Sequence, residues 1–346
     1  MAEEHGITSS YGTVILRAGE STQRLESDFG EEALTNALVR VTAGREHLVC
    51  FTEGHEELDP DEDFEPSGMG VVVARLEAQN YTVQRTNLLL EGAVPSKCEV
   101  VVVADAALDW HPVEIEMLAA YVARGGAVLV LADLHLSPDD PTQAPNLVRD
   151  LTRYGITVGD DMIVEPNPNY QMIGLDWTDQ LLDARSTDPH AVTSPLKGML
   201  RLRLTRSVEA APEVPGVRVQ EVLFTSELAW AETDFTVAPE ATPGSDRLGR
   251  VPLMAIAEVI DPATLRVNLP AVLPSPAQAP ASLEALLNTD DGTLDEPDSQ
   301  ASDGPGGEEP VEDVAATPES VDAVVDRQPG GKVLVVGDAD FSTNAL

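Results

Sequence analysis

The sequence predicts an α/β protein: a doubly wound, mostly parallel sheet in its first half, then additional β-rich segments and a disordered acidic insertion. Three observations predict it. The apolar runs "LVCF", "CEVVVVA" and "AVLVL" do not alternate with polar residues, the composition of strands buried on both faces. Stretches of helical period separate these runs, as in a sheet wound from strand to helix to strand. Between Leu283 and Val325 there are 13 acids and no Lys or Arg, with repeated Gly, Pro and Ser. Such a segment lacks the apolar surface to offset the entropy of ordering it.

Taken in order, Tyr11 to Glu26 reads as two short alternating strands around "RAGES", a hairpin or edge segment within residues 1–29. "GEEALTNALVRVT" places Leu34, Leu38 and Val41 at helical spacing, with acids in the first turn where the helix dipole favours them. "REHLVCFTEG" is a buried strand ending near Glu53. "SGMGVVVARLEAQN" is a helix, "YTVQRTNLL" a strand and "CEVVVVADA" an apolar strand. "HPVEIEMLAAYVARGG" is a helix with a Gly stop, "AVLVLAD" a strand, and "APNLVRDLTRYGI" another Gly-stopped helix. Beyond Val158 the pattern is irregular, with Pro-rich loops at "EPNPNYQM" and "STDPHAVTSPL". Strands recur there at "RLRLTRSVEA", "QEVLFTS" and "VPLMAIAEVI". The α/β domain thus spans 30–282 and the acidic insertion 283–327. Residues 328–346, "GKVLVVGD" and the start of a final helix, are expected to return to the first sheet.

The net charge of -39 repels nucleic acid and anionic lipid, which excludes nucleic-acid binding from the reading. Cys50 and Cys98 lie in or beside apolar runs and form no CxxC pair, so both are expected to be buried packing thiols rather than a bridge or a nucleophile. No run reaches the roughly 18 apolar residues of a membrane span, and the N-terminus lacks the basic start and apolar stretch of a secretory signal. The chain stops as a helix opens, which is the expectation for a piece of a longer protein.

In a doubly wound sheet, ligands bind at the carboxyl ends of the strands, near the point where strand order reverses. The polar residues expected there are Glu53, His55 and Glu56, then Asp105, then Asp133 and His135, and finally Asp338 and Asp340. His190, in a Pro-rich loop, joins them as a residue that orients its loop. A His among carboxylates suits divalent-metal or acid/base chemistry, yet strand ends in this fold are also polar without any chemistry. Known patterns fail. "HEEL" has no second His for HExxH, and "DPDEDFEPSGMG" puts Phe64 where a calcium loop needs Gly and Gly70 where it needs Glu. GxSxG, GxGxxG after a strand and GxxxxGK[ST] are absent. No catalytic residue, metal ligand or cofactor is therefore assigned, and the strand-end residues stand as a ligand- or partner-binding edge. Trp177 and Trp230 are expected to pack.

The succession "YGTVILRAGE", "EEALTNALVRVT", "VCFTEGHEE", "EVVVVADAALDWHPVEIEMLAAYVARGGAVLVLAD", "NLVRDLTRYGITV", "DPHAVTSPL", "LFTSELAWAE" and "VLVVGDADFSTN" resembles the auxiliary, non-ATPase subunits of gliding-motility-type (Gld-type) ABC transport systems. The resemblance runs from Tyr11 to Leu346, interrupted by the insertion. It implies a flavodoxin-like domain similar to class I glutamine amidotransferases and to the GIFT domain of intraflagellar transport proteins, without amidotransferase chemistry. It further implies a bacterial inner-membrane setting, with this region on the periplasmic side, an ABC permease and ATPase as partners, and anchoring through membrane segments absent from this chain. The family's "GHGE" stands here as Gly54, His55, Glu56 and Glu57, so Glu56 replaces the second Gly. "HPIT" stands as His190, Ala191, Val192 and Thr193, and "GDxDF" is intact from Gly337 to Phe341.

The leading expectation is a non-enzymatic accessory domain that binds partner proteins or a polymer or lipid-linked substrate. Two alternatives compete with it. One is a metal-dependent or amidotransferase-like hydrolase using His55 and strand-end carboxylates. The other is a periplasmic substrate-binding protein, which requires a second complete parallel sheet.

Overall fold

The structure, a computed structural model, describes residues 12–19, 21–25, 29–43, 47–135, 144–183, 190–196, 198–236, 238–269 and 330–344. The first elements are an antiparallel pair, β1 (Val14–Ala18) and β2 (Ser21–Leu25), on which α1 (Glu31–Ala43) packs. There follow β3 (His47–Thr52), α2 (Gly70–Ala78), β4 (Tyr81–Thr86), the short α3 (Leu88–Glu91), β5 (Cys98–Ala104), α4 (Pro112–Ala123), β6 (Ala127–Leu131) and α5 (Pro145–Asp150). The next elements are β7 (Ile156–Val158), β8 (Met162–Val164), α6 (Pro168–Met172), β9 (Asp179–Asp183), β10 (Met199–Arg203), β11 (Val208–Ala210) and β12 (Val217–Phe224). The described chain closes with β13 (Trp230–Glu232), β14 (Arg247–Leu248), β15 (Pro252–Val259) and β16 (Lys332–Val336).

A seven-stranded sheet runs in the order β12-β15-β16-β6-β5-β3-β4. The five strands from β16 to β4 pair in parallel, while β15 and β12 extend the sheet antiparallel. β16 sits in the interior, between β15 and β6. Both faces are covered. Val101, Val103, Val128, Val130 and Val333 look toward one apolar cluster, with Met117 and Tyr121 of α4 and Leu147 of α5. Val49, Phe51, Val102 and Leu131 look toward a second, with Met69 at the start of α2 and with Ile163 and Leu202 from the β-rich part. Parallel strands of Val and Leu run straight through because each side of the pleat meets hydrocarbon.

The remaining sheets are small: the pairs β9-β10 and β7-β11, and the three-stranded β14-β13-β8. Among the described residues there is no second parallel sheet, which the two-lobed substrate-binding alternative requires. The segment 283–327, expected to be a disordered acidic insertion, lies outside the described residues. No helix among them is long and apolar enough to cross a membrane.

Three local expectations are corrected. "RLRLTRSVEA" is not one strand: it breaks after Arg203, where Leu204 takes a left-handed backbone (φ +54°), and β10 and β11 pair with different partners. The strand in "YTVQRTNLL" ends at Thr86 rather than running on through both leucines, because Asn87 caps α3 by accepting a bond from the Leu90 amide at 3.1 Å. The third concerns the cysteines. Cys50 and Cys98 are fully buried and joined as a disulfide, with Cα atoms 5.7 Å apart, so no free thiol exists. The cause is a bulge. Leu48 pairs with Cys98 but Val49 pairs with Val100, leaving Glu99 as an extra residue. Strict alternation would put Cys98 on the face of Val100 and Val102; the bulge turns it to the face of Cys50 and Val101.

Candidate functional site

Strand order reverses between β3 and β5, since β4 lies on one side of β3 and β5 on the other. The loop after β3 fills the crevice expected there. The Leu58 amide donates to the Ala104 carbonyl (2.9 Å) and the Leu108 amide to the His55 carbonyl (2.9 Å), so the loops after β3 and β5 are laced together. The His55 side chain turns inward, its ring stacked on Trp110 with centroids 5.1 Å apart. His55 is only 9% exposed and Trp110 1%. Nε2 lies 3.0 Å from Oε2 of Glu114, and Nδ1 faces Oε1 of Glu57 at 3.5 Å. Glu57 also accepts from the His55 amide at 2.7 Å.

Burial favours the neutral imidazole, but the carboxylates of Glu114 and Glu57 outweigh it and raise the His55 pKa to about 9. Burial pulls Glu57 upward in turn, and the bonds from His55 reverse this and hold it below its usual range. His55 is thus an imidazolium clamped between two carboxylates, joining the β3 loop to the first turn of α4. Glu114 also accepts from the His111 amide (3.1 Å), so one buried carboxylate caps α4 and holds His55.

The family glycine replaced by Glu56 matters to this turn. Gly54 has φ +123° and Glu56 φ +56°, so the turn forms with an exposed Glu in a left-handed conformation that Gly would take without strain. Glu53 points outward and pairs with Arg85 at the end of β4 (2.6 Å), which also reaches Asp59 (3.1 Å) and Asp61 (3.3 Å). One arginine therefore gathers three carboxylates of the acidic loop.

The second group lies over β5, β6 and β16. Asp105, itself left-handed at φ +52°, meets Nε2 of His135 at 2.7 Å. That bond raises the His135 pKa. Asp133, Asp338 and Asp340 each present a carboxylate oxygen within 4.8 Å of the others. Burial, reinforced by the charges of Asp105 and Asp340, lifts Asp133 to about 7. Asp338 has no exposed surface, and burial followed by the charge of Asp133 holds it well above the carboxylate range. Its oxygens accept from the amides of Arg203 (2.7 Å) and Asp340 (2.6 Å), so it fastens β10 to the turn after β16. The buried Arg206 guanidinium donates to the Gly159 carbonyl (2.7 Å) and to Asp160 (2.8 Å). Burial lowers its pKa. With Asp105, Asp133 and apolar neighbours it lines a cavity of about 20 Å³, room for little more than one water-sized sphere. The three aspartates are the donors of hard divalent cations, and they are the described residues that could hold one.

Of the expected residues, Asp105, Asp133, His135, Asp338 and Asp340 come together; His55 belongs to a separate clamp, and Glu53 and Glu56 face solvent. His190 is engaged locally: its carbonyl accepts from Thr193 (3.1 Å) and Ser194 (2.8 Å), and its Nδ1 from Val192 (3.2 Å). Trp230 is buried and bonds Glu232 (3.2 Å), while Trp177 is 42% exposed. Sequence reasoning missed Trp110, Glu114 and Arg206. The signal for Glu114 was present in "HPVE", where a Glu three residues past the cap is the mark of a helix start; nothing local announced Arg206.

A family described as an ABC-type uncharacterized transport system, of auxiliary components, matches residues 46–258, well over half of the chain. No curated protein matches it. Among solved structures, the mmIFT52 N-terminal domain is 14% identical, with a TM-score of 0.47, over 86% of this chain and 88% of that one. The cytoplasmic protein STM3548 from Salmonella typhimurium is 15% identical, with a TM-score of 0.34, over 54% of this chain and 83% of that one. Neither likeness is near enough to bear on function.

Proposed function

Because the chain belongs to this auxiliary family and is an accessory component of an ABC-type transport system, we propose that it acts by binding rather than by catalysis, on the extracytoplasmic side of a bacterial inner membrane. Its partners are the permease and ATPase of the same system. The Gld-type resemblance and the flavodoxin-like, amidotransferase-related architecture belong to the same proposal.

One observation carries the reading: the crevice where a doubly wound sheet takes its ligand is filled by the protein's own His55, stacked on Trp110 and held by Glu57 and Glu114. The amidotransferase alternative also needs a free thiol at a strand-to-helix turn, whereas both cysteines are tied up inside the sheet. A buried disulfide suits an oxidising compartment.

The test is reconstitution. The chain, joined to its native membrane segments and co-expressed with the permease and ATPase, is expected to co-purify with them and to change ATP turnover. Purified alone, it is expected to hydrolyse neither glutamine nor simple esters. The metal-hydrolase reading, favoured by the three clustered aspartates, predicts instead stoichiometric metal by elemental analysis and hydrolysis lost in Asp133→Asn. That result would overturn the proposal.

A further inference from the structure

We propose that the Cys50–Cys98 bond is a maturation lock: it closes before α4 docks on the sheet, and the finished fold then shields it from exchange. Disulfides form and break when a thiolate attacks a sulfur along an open line of approach. Both residues here are 0% exposed. They belong to the apolar cluster that α4 covers with Met117, Leu118 and Tyr121, and the Tyr121 hydroxyl donates to the Cys98 carbonyl at 3.1 Å. No exchange partner reaches the sulfurs once that helix is seated. The bond must therefore be made while β3 and β5 are paired, or nearly so, and α4 is still undocked.

The chemistry requires a partner of stated class. Two thiols lose two protons and two electrons to an external disulfide, through a mixed disulfide at one cysteine that the second thiolate resolves, and the oxidant leaves as a dithiol. The Glu99 bulge makes the pairing possible, because it turns Cys98 to the face of Cys50. A chain folding without such an oxidant closes the same sheet over two separate thiols and lacks the crosslink spanning a sequence separation of 48.

Two measurements test this lock, which does not depend on the transport reading. The oxidised native protein is held in excess dithiothreitol, alkylated and weighed intact. Neither cysteine is expected to be labelled, whereas both label when urea is added with the reductant. Labelling of the native protein as fast as of the unfolded chain overturns the proposal. Separately, reduced unfolded chain is refolded with and without a glutathione disulfide pair. The oxidised product is expected to melt roughly 5–8 °C above the reduced one, the shift suited to a crosslink of this span in a domain of this size. The double variant Cys50→Ala/Cys98→Ala is expected to melt with the reduced product and to ignore the redox pair. Equal melting of oxidised, reduced and double-variant proteins overturns it. If the variant does not fold, the labelling result decides alone.

Discussion

At the scale of single residues, the His55 clamp makes a signed pH prediction. Its pKa in the fold is about 9 against 6.5 for the free side chain, so its contribution is fully present below 6.5 and is lost as pH rises through about 9. Thermal melts of the wild type are expected to decline across that window. His55→Phe, which keeps a ring on Trp110 but strands Glu57 and Glu114 without a cation, is expected to cost about 3 kcal/mol at pH 7 and to lose the slope. Asp133 follows the same pH direction, although its favoured form is the neutral one. Its pKa is raised from 3.8 to about 7, so its favourable state is complete below about pH 4 and is lost as pH rises toward 7. Asp133→Asn keeps an acceptor for the Leu134 amide and is expected to stabilise by on the order of 1–2 kcal/mol at pH 8 and not at all at pH 4, read as the difference in melting between variant and parent. Glu56→Gly relieves a left-handed side-chain conformation and is expected to raise stability by about 0.5–1 kcal/mol in denaturant titration.

At the scale of elements, Asn344 joins parts of the chain that are far apart in sequence. Its side chain donates to the carbonyls of Glu62 (2.8 Å) and Glu65 (3.1 Å) and accepts from the Val71 amide (3.0 Å). The turn after β16 thereby holds the acidic loop and the start of α2. Asn344→Ala is expected to cost about 1–2 kcal/mol and to speed amide exchange at Val71 while leaving β5 and β6 protected. This connection shows where sequence reading stops. The strands β3, β5 and β6 were legible because Val and Leu runs this short, bounded by turn residues, have few uses other than a strand buried on both faces, and α4 because its Gly stop and apolar period agree. The Asn344 bonds were not legible, since a polar residue near the end of a chain carries no mark of its partner 273 positions away. Nor was the break at Leu204, because a left-handed residue that is not Gly leaves no local signature. The Glu99 bulge hid the disulfide for a related reason: alternation, the rule used to assign faces, fails by one residue just where the face of Cys98 is decided.

At the scale of the whole molecule, a net charge of -39 leaves little room for further anions to be buried cheaply. The fold confines its buried acids to places where a cation, a hydrogen-bond donor or a retained proton offsets them: Glu57 and Glu114 around His55, Asp179 on Arg201 at 2.7 Å, and Glu116 and Asp150 on Arg153. The strand-end sites expected from the sequence did cluster in part, over β5, β6 and β16. His55 was drawn away from them because Glu114 of α4 offered it a buried partner.

The interior position of β16 sets a timetable for synthesis. β6 and β15 both emerge from the ribosome long before Lys332, and each waits with one flank unpaired. From Val259 to Lys332 the ribosome must add 73 residues, which at the usual pace of translation takes roughly 4–15 s. For that interval the nascent sheet carries two open, apolar flanks, the condition under which strands join neighbouring chains. Ribosomes stalled within that stretch are therefore expected to release aggregating product, and those stalled beyond Val336 to release soluble product.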